Sequence, residues 1–394
     1  MRIVHLADMH LGFRQYYRQT PTGLNQREAD IGAAFKKAID KVIEIEPEMV
    51  LVAGDVFHSV RPTNPAILHA YTQFKRMIQE LPGVIVVMVA GNHDTPRTSE
   101  TGCLLDLFRN LGIHVVHGHE RRLEFADRGV SVLAIPDGIR PRPAFEPDPE
   151  SRFNILLMHD EIEGVLGRVG PLAERAADTI PMGQLHPERW DYVALGHYHV
   201  YHQVAPNAFY SGATEYASTN VWGEVDDEQR KRIGGKGIIE HDLATGEHTF
   251  HVLELARRVM DLPRFSAAGL NPQQLSDAIC AAVDRCEGGI DDRIVRLVVT
   301  DVPRHLLRDI DHRPIREFKK RALHFLLDAR RPVPIRIEAS GAPGRRTSLT
   351  DTVRSMLHEW QITPGIERKA LVDLGLHYLA ETERLAPAAM EPAG

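Results

Sequence analysis

Apolar residues recur along this chain in two rhythms, and residues 1–255 alternate between them. Short runs rich in β-branched residues, at 3–6, 49–53 and 84–90, read as buried strands. Between the first two, Phe35, Ala38, Ile39, Val42 and Ile43 recur at i, i+3, i+4, i+7 and i+8, the spacing of one helix face. A second helix is expected over about 65–80. Beyond residue 112 the pattern shifts to short strands at 113–116, 122–125, 130–135 and 155–158. More follow near 192–195, 201–204, 209–211, 237–241 and 249–253. A βαβ start followed by many strands predicts an α/β fold of two packed sheets with helices outside, an αββα sandwich.

Pro136, Pro141, Pro143, Pro147 and Pro149 mark residues 136–150 as an irregular surface loop. The charged stretch 222–237, ending in Gly234, Gly235 and Gly237, reads as another loop. A boundary is expected near 260–264, after which 265–340 reads as a small α/β module. Its expected elements are a helix over about 272–286, a strand at 293–300, a helix at 315–329 and a strand at 333–338. A linker at 340–346 then leads to two amphipathic helices, about 351–360 and 365–384, separated by Thr363-Pro364. Trp360 either packs within that helical pair or belongs to an interface. The chain thus divides into 1–260, 265–340 and 347–386.

A length of 394 residues exceeds what one core usually supports, in keeping with several domains. No apolar run approaches the roughly 20 residues needed to cross a bilayer. Asp8 and His10 sit where a cleavable signal would need apolar residues, so no signal peptide is expected. Three cysteines form no disulfide framework and point to a reducing cytoplasm. The net charge of −7 does not advertise a nucleic-acid binder. Residues 264–346, however, carry 16 Lys+Arg against 11 Asp+Glu. A basic module beside an acidic metal domain suits a polyanionic substrate.

Five islands supply candidate chemistry: Asp8-Met9-His10, Gly54-Asp55-Val56-Phe57-His58, Gly91-Asn92-His93-Asp94, His159 and Gly196-His197-Tyr198-His199. Each follows a predicted strand, so the ligands converge on one sheet edge. Asp8 with His10, and His197 with His199, have the period-two spacing that puts both on one side of an extended chain. Gly54 lets the backbone turn tightly where Asp55 must approach a metal. A carboxylate can bridge two cations, and imidazole or amide oxygen completes each shell without excess charge. Two metals about 3.5–4 Å apart polarise a phosphoryl group, create a nucleophile at neutral pH and brace in-line displacement. His117, His119, His202, His248 and His251 read as structural or surface histidines, and His5 is expected to point away from Asp8.

In this order the islands resemble the calcineurin-like metallophosphoesterases. The segments around them are similar to one branch, the SbcD-like (Mre-type) DNA double-strand-break repair nucleases. Gln26-Arg27-Glu28, opening the first helix, and Tyr210-Ser211-Gly212-Ala213-Thr214-Glu215 also match that branch. The resemblance is strong over 1–255, weaker over the capping module, and rests mainly on layout at the C-terminus. It implies a metallophosphoesterase sandwich, a small α/β DNA-binding capping domain and a C-terminal helical pair.

The resemblance implies one metal held by Asp8, His10, Asp55 and His199 and a second held by Asp55, Asn92, His159 and His197. It implies His93 as the catalytic histidine, with Asp94 orienting its ring and His58 on the phosphate side. Manganese is the implied metal, although the residues alone accept Mn, Fe, Zn or Mg. Arg14, Arg18, Arg61, Arg97, Arg140 and Arg142 lie near the islands and are candidate DNA contacts. The implied function is a Mn-dependent DNA nuclease, a 3'-5' exonuclease and single-strand endonuclease, located in the cytoplasm with the nucleoid. An SbcC-like coiled-coil ABC-type ATPase docked on the C-terminal helices and a homodimer are the implied assembly. The chain itself carries no P-loop. The alternatives are a metallophosphoesterase acting on nucleotides, small diesters or phosphoproteins, and a non-catalytic scaffold.

Overall fold

The computed structural model describes residues 1–96, 98, 102–140, 142–165, 179–332, 349–359 and 367–385. In chain order its elements are β1 (Arg2–Leu6), α1 (Gln26–Ile45), β2 (Met49–Ala53), α2 (Asn64–Glu80), β3 (Ile85–Val89) and β4 (His114–Val116). Next come β5 (Arg121–Phe125), β6 (Val130–Ile135), β7 (Phe153–His159), β8 (Glu161–Ile162), β9 (Thr179–Ile180), α3 (Met182–Leu185) and β10 (Tyr192–Gly196). Then follow β11 (His202–Ala205), β12 (Ala208–Tyr210), α4 (Val221–Lys231), β13 (Gly237–Asp242), β14 (His248–Val252) and β15 (Val259–Ser266). The last are α5 (Pro272–Asp284), β16 (Ile294–Thr300), α6 (Arg304–Asp309), α7 (Arg313–Arg321), β17 (His324–Ala329), α8 (Leu349–Glu359) and α9 (Arg368–Leu385).

Two six-stranded sheets, ordered β14-β13-β1-β2-β3-β4 and β11-β12-β10-β7-β6-β5, form the sandwich. Strand β2 shows why its sequence is a continuous apolar run: Val50 and Val52 face the core under α1 and α2, whereas Met49, Leu51 and Ala53 face the second sheet. Strands buried on both faces need no polar alternation. Helix α1 begins where the Asn25 side chain accepts from the N–H groups of Arg27 and Glu28. Phe35, Ile39 and Phe74 then seal the outer core. Strands β1, β2 and β3 run parallel, as do β7 and β10. Their carboxyl ends carry all five islands, where ligands of open α/β sheets gather.

Three expectations need correction. The stretch read as a loop at 222–237 contains helix α4, closed by Arg232 in the left-handed conformation at φ 56°. Asp226, Asp227 and Glu228 each precede a basic residue by four positions, a pairing that supports a helix without much apolar content. The boundary expected at 260–264 lies inside β15, the first strand of a three-stranded sheet ordered β15-β16-β17. The helix expected over 315–329 ends at Arg321, and β17 then pairs in parallel with β16. A short apolar run such as Phe325-Leu326-Leu327 fits helix or strand equally by period, and the open edge of β16 decides it.

Residues 1–332 form one compact unit and 333–394 a second. In the first, α4 packs Trp222 and Val225 against Ile294 of β16 and Leu323 just before β17. In the second, α8 and α9 lie together: Arg368 donates to the Leu357 carbonyl at 3.2 Å, and a Cβ on Gly375 would come within 2.5 Å of Leu357 Cδ1. Met356, Leu374 and Tyr378 of this pair are exposed. The strand expected at 333–338, the linker at 340–346 and Trp360 lie outside the described residues. None of the described helices is long and apolar enough to cross a membrane.

Candidate metal centre

The islands meet because their loops are stitched to one another. Asp8 N–H donates to the Gly54 carbonyl and His10 N–H to the Asp55 carbonyl, each at 3.0 Å. His58 N–H returns to the Leu11 carbonyl at 3.0 Å. Asp8, His10, Asp55 and His197 all have positive φ, at 54°, 46°, 50° and 100°. Such non-glycine conformations are costly and persist where surrounding structure enforces them, commonly at functional sites. Glycine is needed where the islands touch. A Cβ on Gly91 would lie 2.1 Å from Asp55 Oδ1, and one on Gly196 would lie 1.8 Å from the Ala53 carbonyl oxygen.

Seven predicted ligands converge. His10 Nε2 lies 3.0 Å from His199 Nε2 and 3.7 Å from Asp55 Oδ2. His159 Nε2 lies 2.9 Å from Asn92 Oδ1 and 3.4 Å from Asp55 Oδ2. His197 Nδ1 is 3.2 Å from the same Asn92 oxygen, and its backbone N–H donates to Asp8. Among the described residues, three sets of candidate ligand atoms lie within 4.8 Å of one another. They are Asp8, His10 and His199; Asp8, Asp55 and His159; and His10, His58 and His93. His58 and His93 stack with ring centroids 5.0 Å apart, and His93 meets the His10 ring edge-on at 4.8 Å.

The donor chemistry fits a cation. His159 donates its Nδ1 proton to the Ala53 carbonyl at 2.8 Å, so in the neutral ring Nε2 would present a lone pair toward two oxygens. Three electron-rich atoms in contact are favourable only with positive charge among them. Electrostatics say the same. Burial disfavours a charged His159 ring, but Asp55 outweighs it and lifts the ring to about 10. Burial likewise opposes ionisation of Asp55, yet His159 and His10 hold its carboxyl far below the usual range. Asp8 is pushed up to about 6 by burial, against the pull of His159 and His199. Charge of opposite sign thus offsets burial within the cluster, and a cation held by these residues would offset it in the same way.

The remaining predicted residues fall into distinct roles. Asp94 does not reach His93 in the way expected. Its carboxylate accepts from the backbone N–H groups of Phe57, Val56 and Gly91 at 3.0, 3.1 and 3.2 Å, tying the second island to the third. Burial, with the Asp55 charge adding, pushes its carboxyl up to about 7. His93 Nδ1 instead lies 2.7 Å from the His58 carbonyl, which orients the ring. Two candidate DNA contacts prove to be internal ties: Arg18 pairs with Asp292 at 2.5 Å and donates to two carbonyls, and Arg142 pairs with Asp160 at 2.9 Å. Arg14 binds the buried Glu28 at 2.6 Å. Arg61 and Arg140 are exposed, and Arg97 lies outside the described residues.

His5 points into the inter-sheet core against Tyr192, while His117, His248 and His251 hydrogen-bond with Asp106, Tyr201 and Glu240, away from the cluster. Sequence reasoning missed Glu224 and Lys236. Glu224 Oε1 lies 3.2 Å from His199 Nδ1, and Lys236 pairs with Glu224 and with Glu228. The i,i+4 acid–base spacing of α4 was the signal that could have placed Glu224 on a helix.

The two matched flanking motifs also meet. Arg27 of the first pairs with Glu215 of the second at 3.2 Å, both fully buried.

Comparison with known proteins agrees with this geometry. The family model for calcineurin-like phosphoesterases matches residues 1–201, half of the chain. The DNA double-strand break repair protein Mre11 of Methanocaldococcus jannaschii is 43% identical over 97 residues, 25% of this chain and 24% of that protein. The Thermoplasma acidophilum Mre11 is 26% identical over 288 residues, 68% of this chain and 66% of the relative. The Methanopyrus kandleri Mre11 is 26% identical over 217 residues, covering 51% and 45%. The chain thus spans between a quarter and two thirds of these relatives. It belongs to the calcineurin-like phosphoesterases.

Proposed function

We propose that this calcineurin-like phosphoesterase is a manganese-dependent DNA nuclease of double-strand-break repair, with exonuclease and single-strand endonuclease activity. The observation that carries the reading is the convergence of Asp8, His10, Asp55, Asn92, His159, His197 and His199 at the carboxyl ends of parallel strands from both sheets. Asp8, His10, Asp55 and His199 would hold one divalent cation, and Asp55, Asn92, His159 and His197 the other. Two such cations, when bound, polarise a phosphodiester and lower the pKa of the attacking water. His93 donates its Nδ1 proton to the His58 carbonyl, which orients the ring, and in this reading Nε2 is the atom that transfers a proton to the leaving oxygen. The fold of the loops, rather than Asp94 alone, orients that ring.

DNA as the substrate is supported by the names of the relatives and by the charge of the capping module. Arg313, Arg316, Lys319, Lys320 and Arg321 crowd helix α7. Phosphate backbones are bound by such basic faces with strong salt dependence. In this reading the two six-stranded sheets and their helices form the nuclease domain, the module from β15 to β17 is a DNA-binding cap, and α8 with α9 is the docking segment for a coiled-coil ABC-type ATPase. The exposed Met356, Leu374 and Tyr378 of the helical pair support docking, and a homodimer completes the assembly.

The test is substrate choice. The full chain with manganese, offered linear duplex DNA, single-stranded DNA, cyclic nucleotides and phosphopeptides, should degrade the DNAs in preference. Turnover confined to small diesters or phosphopeptides would overturn DNA as substrate while leaving the metal centre intact.

A further inference from the structure

Helix α4 holds the last island from behind. Glu224 Oε1 lies 3.2 Å from His199 Nδ1, while His199 Nε2 faces His10 Nε2 at 3.0 Å. The two ring nitrogens are thus divided, one toward a carboxylate and one toward the cluster. The other Glu224 oxygen binds Lys236, whose ammonium is itself buried and donates to the His199 carbonyl at 2.8 Å. Lys236 also pairs with Glu228 at 2.9 Å. One turn further along α4, Asp227 accepts from the Tyr198 hydroxyl at 2.8 Å. Neighbouring residues of one island are therefore gripped by one helix.

The opposite side of α4 belongs to the capping module. Arg296 of β16 lies 4.8 Å over the Trp222 ring and 3.6 Å from Asp226, and it also pairs with Asp261. A buried carboxylate is held in its charged form only when it is paired. Glu224 is buried and held by Lys236, an arrangement suited to a fixed acceptor for an imidazole N–H. A metal-bound imidazole whose other nitrogen donates to a carboxylate is locked in tautomer and orientation.

We propose that Glu224 is the positioning residue of His199, fixing its tautomer with Nε2 toward the metal, and that α4 ties this contact to the capping module through Arg296. This rests on the reading of His199 as a metal ligand. A displacement of the cap sheet would move Arg296, hence α4, hence the carboxylate that sets the ligand. The link runs through side chains that no island contains.

Manganese titration of the full chain tests it, followed by calorimetry alongside thermal melts of each metal-free variant. Glu224→Ala should keep both sites but weaken one by about 10- to 100-fold. Glu224→Gln, whose amide oxygen still accepts from Nδ1–H, should recover much of that loss and serves if the alanine variant does not fold. His199→Ala should lose one site. Arg296→Met, which keeps an apolar stem over Trp222, should weaken the same site severalfold. Wild-type affinity at both sites in folded Glu224→Ala would overturn the positioning role, and unchanged affinity in Arg296→Met would overturn the tie to the cap. Two undiminished sites in His199→Ala would instead refute the ligand reading itself.

Discussion

The backbone N–H of His93 donates to Asp55 Oδ1 at 2.9 Å, so the residue read as the proton donor also anchors the central carboxylate of the site. The two duties use different atoms. The main chain supports the proposed metal ligand, and the ring is oriented by the His58 carbonyl at 2.7 Å. Replacing the side chain keeps the first function and removes the second.

His93→Ala should therefore bind manganese as the parent does while its kcat on DNA falls by about 10²- to 10⁴-fold, the usual contribution of a general acid or base. Single-turnover cleavage and a parallel metal titration check both halves. A variant that loses metal and activity together would show that the ring is structural.

The Arg27–Glu215 pair binds the start of α1 to the segment after β12, and Arg27 also pairs with Asp30 at 3.1 Å. Removing one member of a fully buried pair leaves the other uncompensated, at a cost of about 3–5 kcal/mol. Glu215→Gln should lose about 3 kcal/mol in urea unfolding, at the lower end because Asp30 remains. A loss below about 1 kcal/mol would mean that the pair contributes little.

The convergence of these residues could be read in the sequence because every candidate ligand follows an apolar run. Residues 3–6, 49–53, 84–90 and 155–158 could hardly be anything but strands, and the end of a strand fixes where the next side chain sits. What could not be read depends on tertiary contacts. Glu224 sits in a charged stretch whose helix is recognisable by its acid–base spacing but whose partner, His199, is 25 residues distant. Arg18 looked like a surface arginine because Asp292, its partner, belongs to a module that begins far downstream. The change from α7 to β17 is equally silent, since the same apolar residues satisfy either period until β16 offers its edge. Asp94 was expected beside the His93 ring, but three backbone N–H groups claim its carboxylate.

Acid should weaken the fold through His5. Buried between the sheets with Nδ1 3.1 Å from the Tyr192 hydroxyl, its ring is pushed down to about 3 by burial. The unfolded chain, with an ordinary histidine near 6.5, binds the proton that the folded chain refuses. Stability from neutral His5 is thus full above about pH 6.5 and is lost as pH falls toward 3. Between pH 7 and pH 5 the loss from this residue amounts to about 2 kcal/mol. His5→Asn carries no titrating ring, so in chelator its unfolding free energy should fall by that much less over the same interval. Equal losses in both proteins would remove His5 as the source.

The most direct test of the metal centre is a count of bound manganese per chain after equilibrium dialysis, comparing the parent with Asp55→Asn. Asp55 lies within 3.7 Å of His10 on one side and 3.4 Å of His159 on the other, the position of a shared ligand. The parent should bind two manganese ions, and the variant should lose tight binding at both sites. Two ions retained by Asp55→Asn, or none bound by the parent, would contradict this.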